Sequence, residues 1–152
     1  MSVDDLDALD AALVRLRRLW SGPALPLGDD GSDVEMSSVL VVEAVARLRD
    51  GADGVPVGAL ARFAGVHAST ASRLVDRAAT AGLVERAGST ADRRATVVRL
   101  SPLGERVRER GNVLRSAWLR GAVADWTKAD VATFARLLTR FSVEVERSGG
   151  PR

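Results

Sequence analysis

Apolar residues near the start of the chain recur at alternating spacings of three and four, which is typical of one face of a helix. The residues concerned are Leu6, Leu9, Leu13, Leu16 and Trp20. Ser21-Gly22-Pro23 then ends this helix, and a linker rich in Gly, Pro and Asp continues to about Asp33. A second helix is predicted over about 34–49, with Asp33 or a neighbour as its N-cap. Its apolar residues are distributed almost all round the helix, so we expect this helix to be buried on most sides.

Two short helices separated by a glycine are predicted next. The first covers about 58–64 and the second about 68–81, and Gly65 between them can adopt the left-handed conformation that ends a helix. The side chains expected to face inward from the first helix are Leu60, Ala61 and Phe63. The second helix is expected to end at Gly82 and to bury Ala71, Leu74, Val75 and Ala78. Two short helices joined in this way form a helix-turn-helix.

A hairpin is predicted to follow. Residues 83–87 and 96–100 alternate between apolar and polar positions, as the strands of a hairpin do. Val55-Pro56-Val57 is too short to stand alone and is expected to add to the edge of this hairpin. The predicted fold is therefore mainly α with a small β-hairpin wing, which is a winged helix-turn-helix core.

Two long helices are predicted after the hairpin. Ser101-Pro102 starts the first, with the hydroxyl as cap and Pro at the first helical position, and this helix runs to about residue 124. Thr127, with Asp130 three residues further on, opens the second. The apolar stripe of the second consists of Val131, Phe134, Leu137, Leu138, Phe141 and Val145.

The first helix and the last two each carry an apolar stripe that must be buried somewhere. Either they fold back on their own domain or they form an interface between two chains, and an interface is the more economical solution. We therefore predict an all-helical dimerisation base from residues 1–33 and 101–147. Residues 34–100 are predicted to form the winged helix-turn-helix DNA-binding region, and residues 148–152 a disordered tail.

The composition excludes several kinds of chemistry. The chain of 152 residues contains no Cys and one His, so we expect no disulfide, no cofactor and no metal site. It also lacks Tyr, and no nucleophile, base or metal cluster is apparent, so we expect no enzymatic activity. The acidic N-terminus and the absence of an apolar run of about 18 residues predict a cytoplasmic protein without a membrane partner.

The net charge of +2 conceals an asymmetry along the chain. Residues 1–56 carry a formal charge of −6, whereas residues 57–100 and 101–152 each carry +4. All but one of the 22 basic residues are Arg, the exception being Lys128. Arg makes bidentate contacts to guanine and phosphate, although a GC-rich coding sequence explains the same bias equally well.

The second helix of the predicted helix-turn-helix supplies the candidates for contact with the major groove. They are Ser69, Thr70, Ser72, Arg73 and Arg77. Arg73 can reach O6 and N7 of a guanine, and the hydroxyl groups can reach bases or phosphates. A solvated helix face would carry the same residue types. The position of this face between a glycine turn and a hairpin favours DNA binding.

The hairpin tip carries Asp92, Arg93 and Arg94, which are the candidates for contact between the wing and DNA. Adjacent arginines repel each other, and a nearby phosphate reverses that cost. An arginine in a narrow minor groove gains from the negative potential there. Asp92 is unfavourable beside phosphate unless it pairs with an arginine such as Arg77 or Arg94. The alternative is a solvated turn with incidental charge.

Five motifs between residues 57 and 106 carry a resemblance to a known family. They are Leu60-Ala61, Ser-Thr-x-Ser-Arg-Leu-Val-Asp-Arg from Ser69 to Arg77, Gly82-Leu83-Val84, Asp92-Arg93-Arg94, and Leu-Ser-Pro-Leu-Gly from Leu100 to Gly104. Together they resemble the winged-helix core of the MarR family of bacterial transcriptional regulators. The Asp-Arg-Arg wing joined to Leu-Ser-Pro-x-Gly at this spacing is more specific than the helix-turn-helix alone.

The resemblance implies a homodimer that binds double-stranded DNA at a pseudo-palindromic operator, mostly as a repressor. It implies major-groove contacts by Ser69, Thr70, Ser72 and Arg73. It also implies that Arg94 enters the minor groove and that Asp92 braces the wing. Many members release DNA when a small aromatic effector binds. Trp20 and Trp118 are candidates for lining such a pocket, and the alternative is that they fill a core or an interface.

Two other functions remain compatible with the sequence. One is a sequence-indifferent architectural DNA-binding protein, and the other is a winged helix that binds protein. Competition between a promoter palindrome and random duplex distinguishes all three. His67 can act as a pH-sensitive contact or as an ordinary turn residue.

Overall fold

The structure, a computed structural model, describes residues 2–16, 24–49, 54–89 and 96–148. The chain divides into two compact units, Met1–Asn112 and Val113–Arg152. In chain order the described elements are α1 (Val3–Leu16), β1 (Leu25–Pro26), β2 (Asp33–Val34), α2 (Met36–Leu48), β3 (Val55–Pro56), α3 (Val57–Ala64), α4 (Ala68–Thr80), β4 (Val84–Gly88), β5 (Thr96–Leu100), α5 (Pro102–Ala122) and α6 (Lys128–Ser148). These elements confirm the predicted mainly α fold with a hairpin wing.

Helix α2 is the centre of the first unit. It packs against α3, α4 and β5, and its buried side chains include Val39, Val41, Val42 and Val45. The predicted burial on most sides is confirmed. Its N-cap is Glu35, which makes no side-chain capping hydrogen bond. The Glu35 carbonyl instead accepts from the amides of Ser38 and Val39 at 2.9 and 3.1 Å.

The three-stranded sheet has the order β3-β5-β4, and both pairings are antiparallel. Val55 pairs with Val98, so the short segment before α3 does add to the edge of the hairpin, as predicted. On the other side, Val84 pairs with Leu100 and the register continues to Gly88 opposite Thr96. The sheet therefore holds the base of the wing against the helices.

Phe63 is a correction to the sequence prediction. Leu60 and Ala61 are buried as expected, but Phe63 is 45% exposed. At 100° per residue, Phe63 lies roughly 110° from the centre of the arc that Leu60 and Ala61 define. A helix of two turns buries one narrow arc, and Phe63 falls outside it.

A second small hairpin lies within the segment that the sequence predicts to be an irregular linker. Leu25 pairs with Val34, and Leu27 between the strands is fully buried. Two-residue strands are too short to show an alternating pattern, which is why the pattern did not reveal them. The hairpin is attached to α5, because Arg106 and Arg110 both bind the Asp29 carboxylate, at 2.6 and 3.0 Å.

This attachment predicts a pH dependence of stability. The side-chain hydrogen bond from Arg106 holds the pKa of Asp29 below its ordinary value. A carboxyl whose pKa is lowered by folding stabilises the protein above its unfolded pKa of about 4, and this contribution is lost as the pH falls through the lowered value. Asp29→Asn should therefore destabilise the protein at pH 7, and the difference from the parent should shrink below about pH 4. Urea unfolding of the parent and of Asp29→Asn, at pH 7 and below about pH 4, measures this difference in stability. A difference that does not change with pH would contradict the prediction.

The start of α5 has the predicted cap. The Ser101 hydroxyl accepts from the amide of Gly104 at 3.0 Å and donates to the Gly82 carbonyl at 2.5 Å. The Ser101 amide donates to the Leu83 carbonyl at 3.1 Å. Ser101 thus joins the end of the helix-turn-helix to the beginning of α5.

The second unit contains the end of α5 and all of α6. Thr127 caps α6 as predicted, since its hydroxyl accepts from the amide of Asp130 at 3.1 Å. Trp126 and Phe134 make an edge-to-face ring contact at 5.4 Å. No side chain described for α6 is buried, and its exposed apolar residues include Phe134, Leu137, Leu138, Phe141 and Val145.

Helix α1 has the same character as α6. None of its residues is buried, and its exposed apolar residues include Leu6, Leu9, Leu13 and Leu16. Among the described residues, no helix combines the length and the apolar character needed to cross a bilayer.

Candidate nucleic-acid interface

Helices α3 and α4 pack together as a helix-turn-helix. Gly65 ends α3 with φ of 63°, a left-handed conformation that glycine adopts without steric cost. The Val66 amide donates to the Ala61 carbonyl at 3.0 Å and completes the turn. His67 is extended and stands at the N-cap of α4, where its carbonyl accepts from the amides of Thr70 and Ala71. The predicted glycine turn is confirmed.

The five candidate residues of α4 lie on one side of the helix. Successive residues are 100° apart, so Ser69, Thr70, Ser72, Arg73 and Arg77 fall within an arc of roughly 160°. The opposite arc is buried and consists of Ala71, Val75 and Ala78. Thr70 and Ser72 are half-buried at the edges of the polar arc, whereas Ser69, Arg73 and Arg77 are exposed. The helix therefore presents two guanidinium groups and three hydroxyl groups on its polar side.

Three arginines of the helix-turn-helix lack the ion pairs that several nearby arginines make. Among the described residues, Arg62, Arg73 and Arg77 have no ion-pair partner. Four arginines that surround the helix-turn-helix are paired: Arg47 with Glu43, Arg49 with Glu105, and Arg106 and Arg110 with Asp29. An unpaired guanidinium keeps all five donors available to an external anion. The guanidinium groups of Arg62, Arg73 and Arg77 are thus available to an external anion.

Sequence reasoning missed one cluster on the same arc of α4. Arg86 of β4 donates from Nη2 to Asp76 Oδ1 at 2.8 Å and to Ser72 Oγ at 3.1 Å. Arg86 Nε reaches the same Asp76 oxygen at 3.2 Å. Asp76 on the polar arc of α4 could have indicated this cluster from the sequence. A carboxylate on a surface that faces phosphate requires a cation nearby.

Comparison with known proteins identifies this arrangement. Residues 32–95 match the family model of the MarR family. Over 79 residues the chain is 34% identical to the HTH-type transcriptional regulator YsmB of Bacillus subtilis (strain 168). That match covers 52% of this chain and 54% of YsmB, so the chain spans about half the length of this curated relative. Residues 32–95 are therefore similar to the MarR family of regulators.

Solved structures extend the likeness of fold beyond that segment. A MarR family protein from Bacillus stearothermophilus superimposes with a TM-score of 0.72 at 21% identity, covering 95% of this chain and 98% of that protein. The PcaV transcriptional regulator of Streptomyces coelicolor, solved in complex with its natural ligand, has a TM-score of 0.61 at 21% identity. This match covers 88% of this chain and 89% of PcaV. These likenesses show a winged-helix fold for nearly the whole chain.

The tip of the wing lies outside the described residues. Asp92, Arg93 and Arg94 all belong to that tip, so their predicted contacts stay predictions. The strands that carry the tip are described, and they pair as far as Gly88 and Thr96.

The predicted aromatic ligand pocket also stays a prediction. Trp20 lies outside the described residues, and Trp118 is an exposed residue of the second unit. The first unit has a cavity of about 460 Å³ between the β1–β2 hairpin and the core, and none of its lining residues is aromatic. Its walls include Asp29, Val34, Ser38, Leu83, Leu103 and Val107. No described group of His, Asp and Glu side chains could hold a metal ion.

Proposed function

We propose that this chain is a sequence-specific DNA-binding transcriptional regulator of bacterial cytoplasm, a repressor that binds a pseudo-palindromic operator as a homodimer. The observation that carries this proposal is the polar arc of α4. Arg73 and Arg77 extend from this arc without an ion-pair partner among the described residues, beside three hydroxyl groups and opposite the buried arc of the same helix. DNA phosphates and guanine edges are the partners that such groups fit best.

The role of each site residue follows from its position. Ser69, Thr70, Ser72, Arg73 and Arg77 are proposed to enter the major groove with α4. In the wing, Arg94 is proposed to enter the minor groove, Arg93 to contact phosphate, and Asp92 to orient an arginine. The support for the wing roles is the resemblance of the Asp-Arg-Arg motif to other members of the family.

The homodimer is proposed on the apolar faces of the terminal helices. Large apolar side chains of α1, the end of α5 and α6 are between 36% and 74% exposed, which is unusual for a monomer. In a closed symmetric assembly, a second copy of the chain covers these apolar faces. Residues 1–33 and 101–147 would then form the dimerisation base, and residues 34–100 the DNA-binding region.

A small aromatic effector is proposed as the ligand that releases the protein from DNA. PcaV was solved with its natural ligand, and it shares the fold of this chain. Trp118 offers an exposed aromatic ring for such a ligand, and Trp20 is the second candidate. Release of bound DNA by aromatic acids, monitored by fluorescence anisotropy, tests this part of the proposal.

Competition binding tests the function itself. Genomic fragments that the protein selects should contain a palindrome, and the protein should prefer that palindrome to random duplex by about 10³-fold or more. Binding without preference would indicate an architectural DNA-binding protein. Absence of binding to either duplex would indicate a protein-interaction module. Both results would overturn the proposal.

Arg73→Ala should weaken operator binding by about 1–3 kcal/mol and relax the base preference at one position of each half-site, because a bidentate contact to guanine is lost. Fluorescence anisotropy with operators substituted at each position measures both effects. Arg47→Ala is the matched control, because Arg47 is engaged with Glu43 on α2 and should not affect binding. Equal effects of the two substitutions would exclude Arg73 from the interface.

A further inference from the structure

Arg86 connects the wing to the polar arc of α4. Its Nη2 atom lies 2.8 Å from Asp76 Oδ1, 3.1 Å from Ser72 Oγ and 3.4 Å from the Ser72 carbonyl oxygen. Arg86 belongs to β4, ten residues beyond Asp76 and fourteen beyond Ser72. A single guanidinium thus holds a carboxylate and a hydroxyl on the side of α4 assigned to DNA.

We propose that Arg86 is a positioning residue that makes the Ser72 hydroxyl a hydrogen-bond donor toward DNA and thereby sets the base preference at one position of each half-site. This inference rests on the proposed function, since it concerns the bases that the recognition helix reads.

The chemistry of the hydroxyl group gives the direction of the bond. A serine hydroxyl has one hydrogen and two acceptor lone pairs, and a guanidinium can only donate. The bond from Arg86 therefore occupies an acceptor site of Ser72 Oγ. No acceptor for the hydroxyl hydrogen is found among the described residues. Ser72 is half-buried at the edge of the arc, so its hydrogen is free to meet a group on the DNA.

A donor can distinguish between base edges in the major groove. Guanine presents O6 and N7, adenine presents N7 and thymine presents O4, and all of these atoms are acceptors. The amino groups of cytosine and adenine are donors and cannot accept the hydroxyl hydrogen. Ser72 should accordingly favour a base pair that places an acceptor within its reach and disfavour one that places an amino group there.

Asp76 gives Arg86 a second role that must be separated from the first. Its side chain is 61% exposed and lies on the same arc of α4 as Arg73, where a free carboxylate would repel phosphate. The contacts from Nε and Nη2 of Arg86 neutralise it. Loss of Arg86 should therefore weaken binding to every sequence, in addition to changing the preference at one position.

The test is a set of binding measurements on operators in which each half-site position is varied in turn. Arg86→Met should lower affinity for all sequences and should reduce the preference at one position by about fivefold or more. Ser72→Ala should reduce the preference at that same position without the general loss. In the Ser72→Ala background, Arg86→Met should cause no further change in preference.

Two further variants separate this role from a merely structural one. The same nitrogen of Arg86 contacts both partners, so the ammonium of Arg86→Lys can replace it and should retain most of the preference. Arg47→Met breaks another arginine–carboxylate pair and should leave every preference unchanged. Circular dichroism verifies that each variant is folded.

Two results would overturn the inference: an unchanged preference at every position in either Arg86→Met or Ser72→Ala, or an equal reduction at all positions in Arg86→Met. Where Arg86→Met does not fold, an unchanged preference in Ser72→Ala or a lost preference in Arg86→Lys would still overturn the inference, since alanine is well tolerated in a helix. A parent protein with no preference for its selected palindrome would instead refute the proposed function.

Discussion

Gly104→Ala is expected to destabilise the protein by about 2 kcal/mol or more, although alanine is the better helix former. A Cβ at position 104 would lie 2.0 Å from the Leu83 carbonyl oxygen and 3.1 Å from the Leu83 carbonyl carbon. Overpacking against backbone costs about 3 kcal/mol, and the gain in helix propensity is about 1 kcal/mol. The steric cost therefore exceeds the gain.

The carbonyl of Leu83 cannot easily move away from the added methyl group. It accepts from the Ser101 amide at 3.1 Å, and the neighbouring Gly82 carbonyl accepts from the Ser101 hydroxyl. A shift would thus disturb the cap of α5 and the turn that ends α4. The backbones of the wing and of α5 approach each other closely here because residue 104 has no side chain.

Urea unfolding with a matched control tests this expectation. Gly58→Ala also places a methyl group on a helical glycine of the first unit, but this Cβ would meet only Arg62 Nη1 at 3.8 Å. Gly58→Ala should be neutral or stabilising by up to about 1 kcal/mol. If the two variants unfold at the same urea concentration, the close approach at Leu83 does not determine stability.

The pattern of apolar, polar and capping residues is sufficient to predict those elements whose boundaries have strong local signals. Gly65, Ser101-Pro102 and Thr127 each mark a helix boundary through local backbone chemistry, and the structure has a boundary at each of them. The polar arc of α4 was equally predictable, because a helix with one buried arc necessarily exposes the opposite one.

The remaining features depend on contacts between residues distant in sequence. Gly104 appears in the Leu-Ser-Pro-Leu-Gly motif, but only the position of Leu83 explains why it must be glycine. The link from Arg86 to Ser72 depends on where β4 passes the recognition helix. The attachment of Asp29 to Arg106 joins residues 77 positions apart. Residue spacing along the chain contains no information on such pairs.

The double substitution Leu137→Glu with Phe141→Glu is expected to convert the proposed dimer to a monomer. The two residues are one turn apart on the apolar stripe of α6, and both are substantially exposed in the single chain. Burying a carboxylate in an apolar interface costs several kcal/mol of binding free energy. Each chain of a symmetric pair would bring two such carboxylates into the interface. Dimer dissociation should therefore become easier by more than about 10³-fold, which corresponds to about 4 kcal/mol.

Light scattering measures this change directly, since the chain mass is 16.1 kDa and the parent should have twice that mass. Arg136→Glu with Arg140→Glu is the control, because it places two carboxylates at the same spacing but roughly 100° round α6, outside the apolar stripe, and should leave the dimer intact. The monomeric variant should keep its helix content, since the substituted side chains are not buried within the chain. It should also lose most of its operator affinity, because one recognition helix then binds a single half-site. A parent with the mass of one chain, or a glutamate variant that stays dimeric, would show that α6 does not form the interface.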